Sequence, residues 1–373
     1  MTAVAAITSW SSPPPTEVRP MTAAVTSTPE TTPTSLPVNI SRNIGCSCVL
    51  ENVWLDIFLL MDASVSMTSD GIASAIDYVV SAFTRLTVGQ AERFQTRVGV
   101  IRYADSVELI ADLNVYTSIE DLFDLDIPLM EENGTNIEGA IRMAISKFRS
   151  PSHRAAARSV VIIAGSTYKY GGYNDPTQIA KEFRDGGGTI ITIEYGQEKE
   201  PSMPMIRALA SPNFNLTNEK SDGTELRTDE LRELLCEANC FCKKDWRQYK
   251  INQRDTPQGG CYHLFAVPSN QTSASQTCDQ SDGMLVLDDD SKTNMFLMNL
   301  IPPKTKFWLG LRYKENKWTW PGGHSMTKDA TTIINFNTIA YTRSGWFNDD
   351  CVKYQHYVCQ TKPCDSTKYC EAE

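Results

Sequence analysis

Asp62, Ser64 and Ser66 stand at alternate positions directly after the apolar run "IFLLM" at 57–61. One carboxylate and two hydroxyls spaced this way on a tight loop can face a common centre. A hard cation such as Mg²⁺ or Mn²⁺ takes oxygen ligands in a near-octahedral array while keeping waters. Three protein oxygens leave that shell incomplete, so an ion held there keeps a position for a carboxylate from another molecule. The competing reading is local: Ser64 and Ser66 bond loop backbone and cap the following helix, while Asp62 accepts nearby amides.

Other chemistry is sparse. The four histidines, His153, His263, His324 and His356, show no metal-ligand spacing with one another or with cysteine. "RDGGGT" at 184–189 follows a helical pattern and precedes a strand-like one, so it reads as a helix terminus and not a phosphate loop. "CEANCFC" at 236–242 lacks zinc-type spacing at both ends and reads as disulfide cysteines. Catalysis is not expected.

The elements that must carry Asp62 are legible around it. From Val53 to about Cys236, apolar strand-like runs alternate with amphipathic segments. "VWLDIFLLM" precedes "GIASAIDYVVSAFTRL", in which Ile72, Ile76, Val79, Val80 and Phe83 share one helical face. Strand-like "RVGVIRYA" and "SVELIADL" follow, then helical "SIEDLFDLDI" and "NIEGAIRMAISKF", and strand-like "SVVIIAG". "DPTQIAKEFRDGGG" has Pro176 at a helix start and Gly186 at its end, ahead of "TIITIEYG" and a last helix near "TDELRELLC". This alternation predicts an α/β doubly wound, mostly parallel sheet with ligands beyond the carboxyl ends of the strands, where Asp62 lies. After Cys242 helical periodicity fades and tryptophans and cysteines multiply, which predicts a second, disulfide-rich α+β module.

Composition bounds the rest. The 373 residues leave room for two compact domains and a tail: 1–44 rich in Ser, Thr and Pro, 45–240, 241–362, and a short Cys-containing tail at 363–373. Residues 1–44 are read as an O-glycosylated stalk or a plain disordered tail. A net charge of −10 and the lack of any basic run argue against polyanions and nucleic acid. Eleven cysteines, nine of them from Cys236 onward, point to disulfides and an extracellular compartment. Sequons at Asn39, Asn133, Asn215 and Asn270 agree. Asn133 is expected to stay unmodified, because its sequon shares Thr135 with the candidate cation site. The opening "MTAVAAITSWSSPPP" lacks the charge and apolar core of a signal peptide, so unconventional export or an incomplete start is expected. No apolar run reaches transmembrane length.

"DASVS" after a buried strand, "RVGVIRYADSVELIADLN" and "NGTNIEGAIRMAI" together resemble the von Willebrand factor type A fold and its metal-ion-dependent adhesion site, over residues 53–236. The resemblance implies that Thr135 from a second loop joins Asp62, Ser64 and Ser66 around Mg²⁺ or Mn²⁺. It also implies a further aspartate after the fourth strand. Here Ala164, Gly165 and Ser166 stand there, so the site is expected to be weakened, and Gly165→Asp is expected to tighten it.

Residues 242–359 resemble a C-type lectin-like domain through "CKKDW", "GGCYHLF", "GMLVLDDD", "FWLGLRY", "KWTWPGG" and "WFNDDCVKYQHYVCQ". That resemblance implies bridges Cys242–Cys261 and Cys278–Cys359. A tail bridge Cys364–Cys370 is added, the pairing among Cys46, Cys48, Cys236 and Cys240 is left open, and Cys351 remains over. Cys351 is expected to be a buried free thiol or the link in a disulfide dimer. Calcium-dependent sugar binding would draw on Asn348 and Asp349, but the long-loop triplet is missing and Phe347 separates Trp346 from that pair. Two ligands fall short of the six to eight oxygens Ca²⁺ takes, so a calcium-independent sugar or protein surface is expected. The two resemblances imply an extracellular adhesion or recognition protein for protein and glycan ligands, as in innate immunity. The alternative is a structural component of a matrix or surface coat.

Overall fold

The computed structural model describes residues 45–371 apart from 169–170, 172–173, 196–205, 219, 221, 252–255, 289, 316, 322–337 and 343–344. Among the described residues the first domain comprises β1 (Leu55–Asp62), α1 (Ser69–Phe83), β2 (Arg97–Tyr103), β3 (Val107–Ala111), α2 (Glu120–Phe123), α3 (Ile137–Phe148), β4 (Arg158–Gly165), α4 (Thr177–Asp185), β5 (Thr189–Glu194), β6 (Asn215–Thr217) and α5 (Thr228–Ala238). Its sheet runs β3-β2-β1-β4-β5-β6. Among these strands only the edge pair β2–β3 is antiparallel.

All eight residues of β1 are buried, as a central strand covered on both faces requires. Its side chains alternate. Leu55, Ile57, Leu59 and Met61 pack with α1 and α5 on one face, while Phe58 and Leu60 pack with α3 and α4 on the other. The expected helix over "SIEDLFDLDI" shortens to the single turn of α2. Asp121 Oδ2 accepts the N–H groups of Thr117 and Ser118, which fixes the start of that turn. The chain beyond runs without regular structure towards the ends of β1 and β2.

The second domain comprises β7 (Arg247–Gln248), β8 (Cys261–Ser269), α6 (Gln271–Gln280), β9 (Met284–Leu285), α7 (Ser291–Leu300), β10 (Phe307–Lys314), β11 (Lys317–Thr319), β12 (Thr338–Thr342), β13 (Gly345–Asp349) and β14 (Gln355–Thr361). Alternation in β10 divides its core. Phe307, Leu309 and Leu311 join Val286, Trp320 and Val358, while Trp308 faces Cys278, Tyr357 and Cys359. Trp308 Nε1–H donates to Ser269 O at 2.8 Å, satisfying the polar edge of a fully buried ring. Gly310 permits a close approach, since a Cβ there would lie 2.6 Å from Pro321 Cγ and 2.8 Å from Leu285 O.

The described residues fall in one compact unit. The short Cys-containing tail packs at its seam. Phe241 and Cys364 form a β-bridge, and Trp54, buried at the entry to β1, donates Nε1–H to Asp365 O at 2.9 Å and packs on Tyr369 and Phe241. Ser47 N–H donates to Asp365 Oδ2, and Val49 N–H to Ser366 Oγ, each at 2.7 Å. Disulfides Cys46–Cys240 and Cys48–Cys236 close loops of 194 and 188 residues at this seam. Such cross-links contribute up to about 5 kcal/mol each in the chain-entropy account. Cys242–Cys261, Cys278–Cys359 and Cys364–Cys370 complete the set, and Cys351 is a free, half-buried thiol.

Candidate metal centre

Three loops converge at the carboxyl end of the first sheet. β1 ends on Asp62, which lies opposite Tyr103 at the end of β2. Ala63 N–H donates to Tyr103 O at 2.9 Å. The segment before α3 closes over both: Met130 N–H donates to Ala63 O at 2.8 Å, Val65 N–H to Glu132 O at 2.9 Å, and Asn136 N–H to Ala104 O at 2.7 Å. Two further ties hold it. Glu132 accepts Ser106 N–H at 2.8 Å and Ser106 Oγ–H at 2.6 Å, and Arg102 Nη1–H donates to Pro128 O at 2.7 Å. Asn136 caps α3 by accepting Gly139 N–H at 2.9 Å.

Within this frame the structure brings Asp62, Ser64 and Ser66 together. Ser64 N–H donates to Asp62 Oδ1 at 3.0 Å, and the Ser64 and Ser66 hydroxyls are 2.8 Å apart. Asp62 and Ser64 are buried, whereas Ser66 is exposed and opens the group to solvent. Thr135, half-buried, rides on the segment that bonds to this loop. Helix capping falls to Thr68, whose Oγ1 accepts Gly71 N–H at 3.2 Å, so neither Ser64 nor Ser66 caps α1. The local reading holds where Asp62 accepts from Ser64 and fails for the capping of α1.

Electrostatics separates Asp62 from an ordinary buried carboxylate. Burial pushes its pKa above the usual aspartate value, and the two hydrogen bonds from Ser64 do not offset that. No side-chain cation contributes to the shift among the described residues. Asp56, at the other end of β1, shows the contrast. Burial again acts to raise it, but His153 Nδ1 at 2.8 Å and Arg154 Nε at 2.9 Å hold it below the ordinary range. Tyr103 carries a fully buried hydroxyl with no hydrogen-bond partner. A Cβ built on Gly165 would lie 2.9 Å from that hydroxyl and 3.4 Å from Asp62 Oδ2. The place where a second carboxylate was expected is therefore a narrow gap between Tyr103 and Asp62. An uncompensated buried carboxylate, hydroxyl neighbours and an orphaned phenol fit a hard cation, although one acidic ligand makes a weak site.

The second domain closes its own candidate. Asp349 is buried, with Lys353 Nζ 2.6 Å from Oδ1 and Gln355 Nε2 donating to Oδ2 at 3.0 Å. Burial opposes ionisation, yet the Lys353 bond, the Asp350 N–H and the Lys353 charge hold the pKa below the ordinary value. Both carboxylate oxygens already serve this chain's own donors, so among the described residues Asp349 does not present a free carboxylate to Ca²⁺. The Asn348 side chain and most of the long loop expected to lack a sugar triplet lie outside the described residues. Trp346 Nε1–H donates instead to the buried Asp288 at 2.6 Å. Lys353, four residues after Asp349, was legible as an i, i+4 partner. Tyr103 was not, because only the β1–β2 register brings it to Asp62.

Among the sequons, Asn133 and Asn215 are exposed, and Asn270 caps α6 by accepting Ser273 N–H at 2.9 Å. Asn39 lies outside the described residues. No group of three or more His, Cys, Asp or Glu suited to a metal occurs among the described residues. No helix among them is long and apolar enough to cross a membrane.

Comparison with known proteins gives two family matches: the von Willebrand factor type A domain over residues 56–231 and the lectin C-type domain over 267–370. The second match runs past 362 and takes in the Cys364–Cys370 segment. C-type lectin domain-containing protein 160 of Caenorhabditis elegans is 23% identical over 93% of this chain and 60% of its own length. The chain thus spans about 60% of that relative. Killer cell lectin-like receptor subfamily B member 1A of Mus musculus is 24% identical over 43% of this chain and 64% of its own length. A solved C-type lectin domain of murine dendritic cell inhibitory receptor 2, in complex with N-glycan, aligns at 19% identity with TM-score 0.27, covering 32% of this chain and 98% of that one.

Proposed function

The chain carries a von Willebrand factor type A domain followed by a C-type lectin domain, and from that premise we propose that it is an extracellular adhesion protein with one weak, metal-dependent contact. Asp62, Ser64, Ser66 and Thr135 would hold Mg²⁺ or Mn²⁺, which when bound supplies an open position for a carboxylate of a partner protein. The observation that carries this reading is the uncompensated Asp62 at the carboxyl end of β1. Its charge is buried with hydroxyls around it, while Asp56 on the same strand is fully paired.

This chain's own residues do the positioning. Met130 and Val65 lock the two loops through backbone bonds, Glu132 pins the β2–β3 turn, and exposed Ser66 leaves the approach open. The lectin-like domain engages its protein or glycan ligands without Ca²⁺, because Lys353 already neutralises Asp349. Disulfides on this scale belong to an oxidising compartment. The test is binding of the full chain to protein and glycan arrays with Mn²⁺ and with EDTA. Protein binding abolished by EDTA and by Asp62→Ala supports the adhesion reading; binding indifferent to both favours the scaffold alternative.

A further inference from the structure

The chain carries a net charge of −10, yet its cations are not spread evenly. A cleft of about 1020 Å³ opens where the C-terminal ends of α3 and α4 meet the start of the second domain, and Arg142, Arg149, Arg158, Lys243 and Lys244 line it. Two carboxylates oppose them, Glu182 and Glu371, and Glu371 is engaged by Arg93. Arg142 pairs with Glu138. Arg158 is fixed in place, its Nε–H donating to Thr189 Oγ1 at 3.0 Å and its guanidinium lying 5.7 Å from the Phe241 ring centre. The two helix ends add roughly half a negative charge each, which leaves an excess of about two positive charges.

Gln248 is shared between this cleft and a second depression of about 400 Å³ that holds Lys250 and Lys292. There Tyr249 and Phe296 stack with ring centres 4.5 Å apart. Positive groups thus line two depressions that share Gln248 instead of surrounding one point.

We propose that this track binds a linear sulfated polysaccharide, with the guanidinium and ammonium groups engaging sulfates and the Tyr249–Phe296 pair lying against a sugar face. Guanidinium forks take tetrahedral oxyanions through paired hydrogen bonds, and lysines serve as point charges beside them. The acidic remainder of the chain repels a polyanion, which confines binding to the track. Five disulfides place the protein in an oxidising compartment, where sulfated polysaccharides and not nucleic acids are the prevalent linear polyanions. The absence of any basic run gives the opposite expectation because these cations come from separate segments. The site lies at the amino end of β4, away from Asp62 at the carboxyl end of β1, and does not depend on the metal centre.

The experiment measures affinity of the full chain for a heparin-derived octasaccharide, its desulfated form and single-stranded DNA of equal charge. Engaging about four cations predicts a loss of roughly 50–150-fold in octasaccharide affinity between about 50 mM and about 200 mM salt. Arg149→Glu/Lys243→Glu/Lys244→Glu should abolish binding with Tm unchanged, and Lys292→Glu, in the second depression, should weaken it about tenfold. EDTA and Asp62→Ala should leave it unaltered, which separates this site from the adhesion reading. Absence of octasaccharide binding at the lower salt overturns the proposal. So does equal binding of the desulfated form, DNA binding as tight as the octasaccharide, or unchanged affinity in both charge-reversal variants.

Discussion

Each domain buries an aspartate that the sequence offers as a candidate metal ligand, and the chain treats the two in opposite ways. Asp62 accepts from the Ser64 amide and hydroxyl and is pushed above its ordinary value by burial. Asp349 is also buried, but Lys353 and Gln355 occupy both of its oxygens and hold it below that range. A buried carboxylate is stable only with compensation. At Asp349 the chain supplies it from four residues away; at Asp62 no side-chain cation among the described residues does so. The lesson is that a ligand residue's identity says less than whether the fold has already neutralised it.

Asp56 sets the scale for losing compensation. Arg154→Met removes its guanidinium, leaves it with His153 and the backbone N–H of residue 154 in a fully buried setting, and should cost about 3–5 kcal/mol. Urea denaturation of the full chain measures this, and a loss below about 1 kcal/mol would show that a bare buried aspartate is tolerated here, which removes the contrast.

Asp62→Asn should act in the reverse sense. Because the folded pKa of Asp62 is raised, the native state keeps the proton to higher pH than the unfolded chain. Stability therefore falls as pH climbs from the ordinary value of 3.8 through the raised one, then levels off. Removing the charge should stabilise the chelator-treated protein at neutral pH by about 1 kcal/mol and flatten that slope. Thermal melts from pH 4 to pH 7 check both points; a less stable variant at pH 7 would mean that Asp62 is compensated after all.

Asp349 has the opposite sign. Its lowered pKa contributes stability that is present above 3.8 and is lost as pH falls through the folded value. Lys353→Met should reduce this contribution and shift the acid limb of unfolding to higher pH. An unchanged acid limb would show that the Lys353 contact is immaterial.

The gap at position 165 offers the finest distinction. Gly165→Asp should tighten divalent binding by less than the 10–100-fold typical of outer-shell groups, because its Cβ meets the Tyr103 hydroxyl. Combining it with Tyr103→Phe should recover the rest. Calorimetry in which both variants bind equally would remove Tyr103 from the account.

Much of this was legible in the sequence, for specific reasons. The unbroken apolar run from Ile57 to Met61 and the helical faces of α1 and α3 are visible in the sequence, so the sheet and the place of Asp62 at its carboxyl end could be read directly. The β10 run with Trp308 carried the second domain in the same way. What escaped depends on long-range register. Tyr103 reaches Asp62 through strand pairing, Asp365 and Ser366 cap the entry to β1 from the far end of the chain, and Arg149, Lys243 and Lys292 share one track only after folding. The expected helix over 118–127 fails because side-chain capping by Asp121 favours a turn where the apolar spacing suggests a longer helix.

The most direct test is a titration of Mn²⁺ into the EDTA-stripped full chain, followed by calorimetry, with Asp62→Ala and Asp349→Ala alongside wild type. A single weak binding event that disappears in Asp62→Ala and persists in Asp349→Ala is expected. No binding in wild type, or a site abolished by Asp349→Ala and kept in Asp62→Ala, would contradict it.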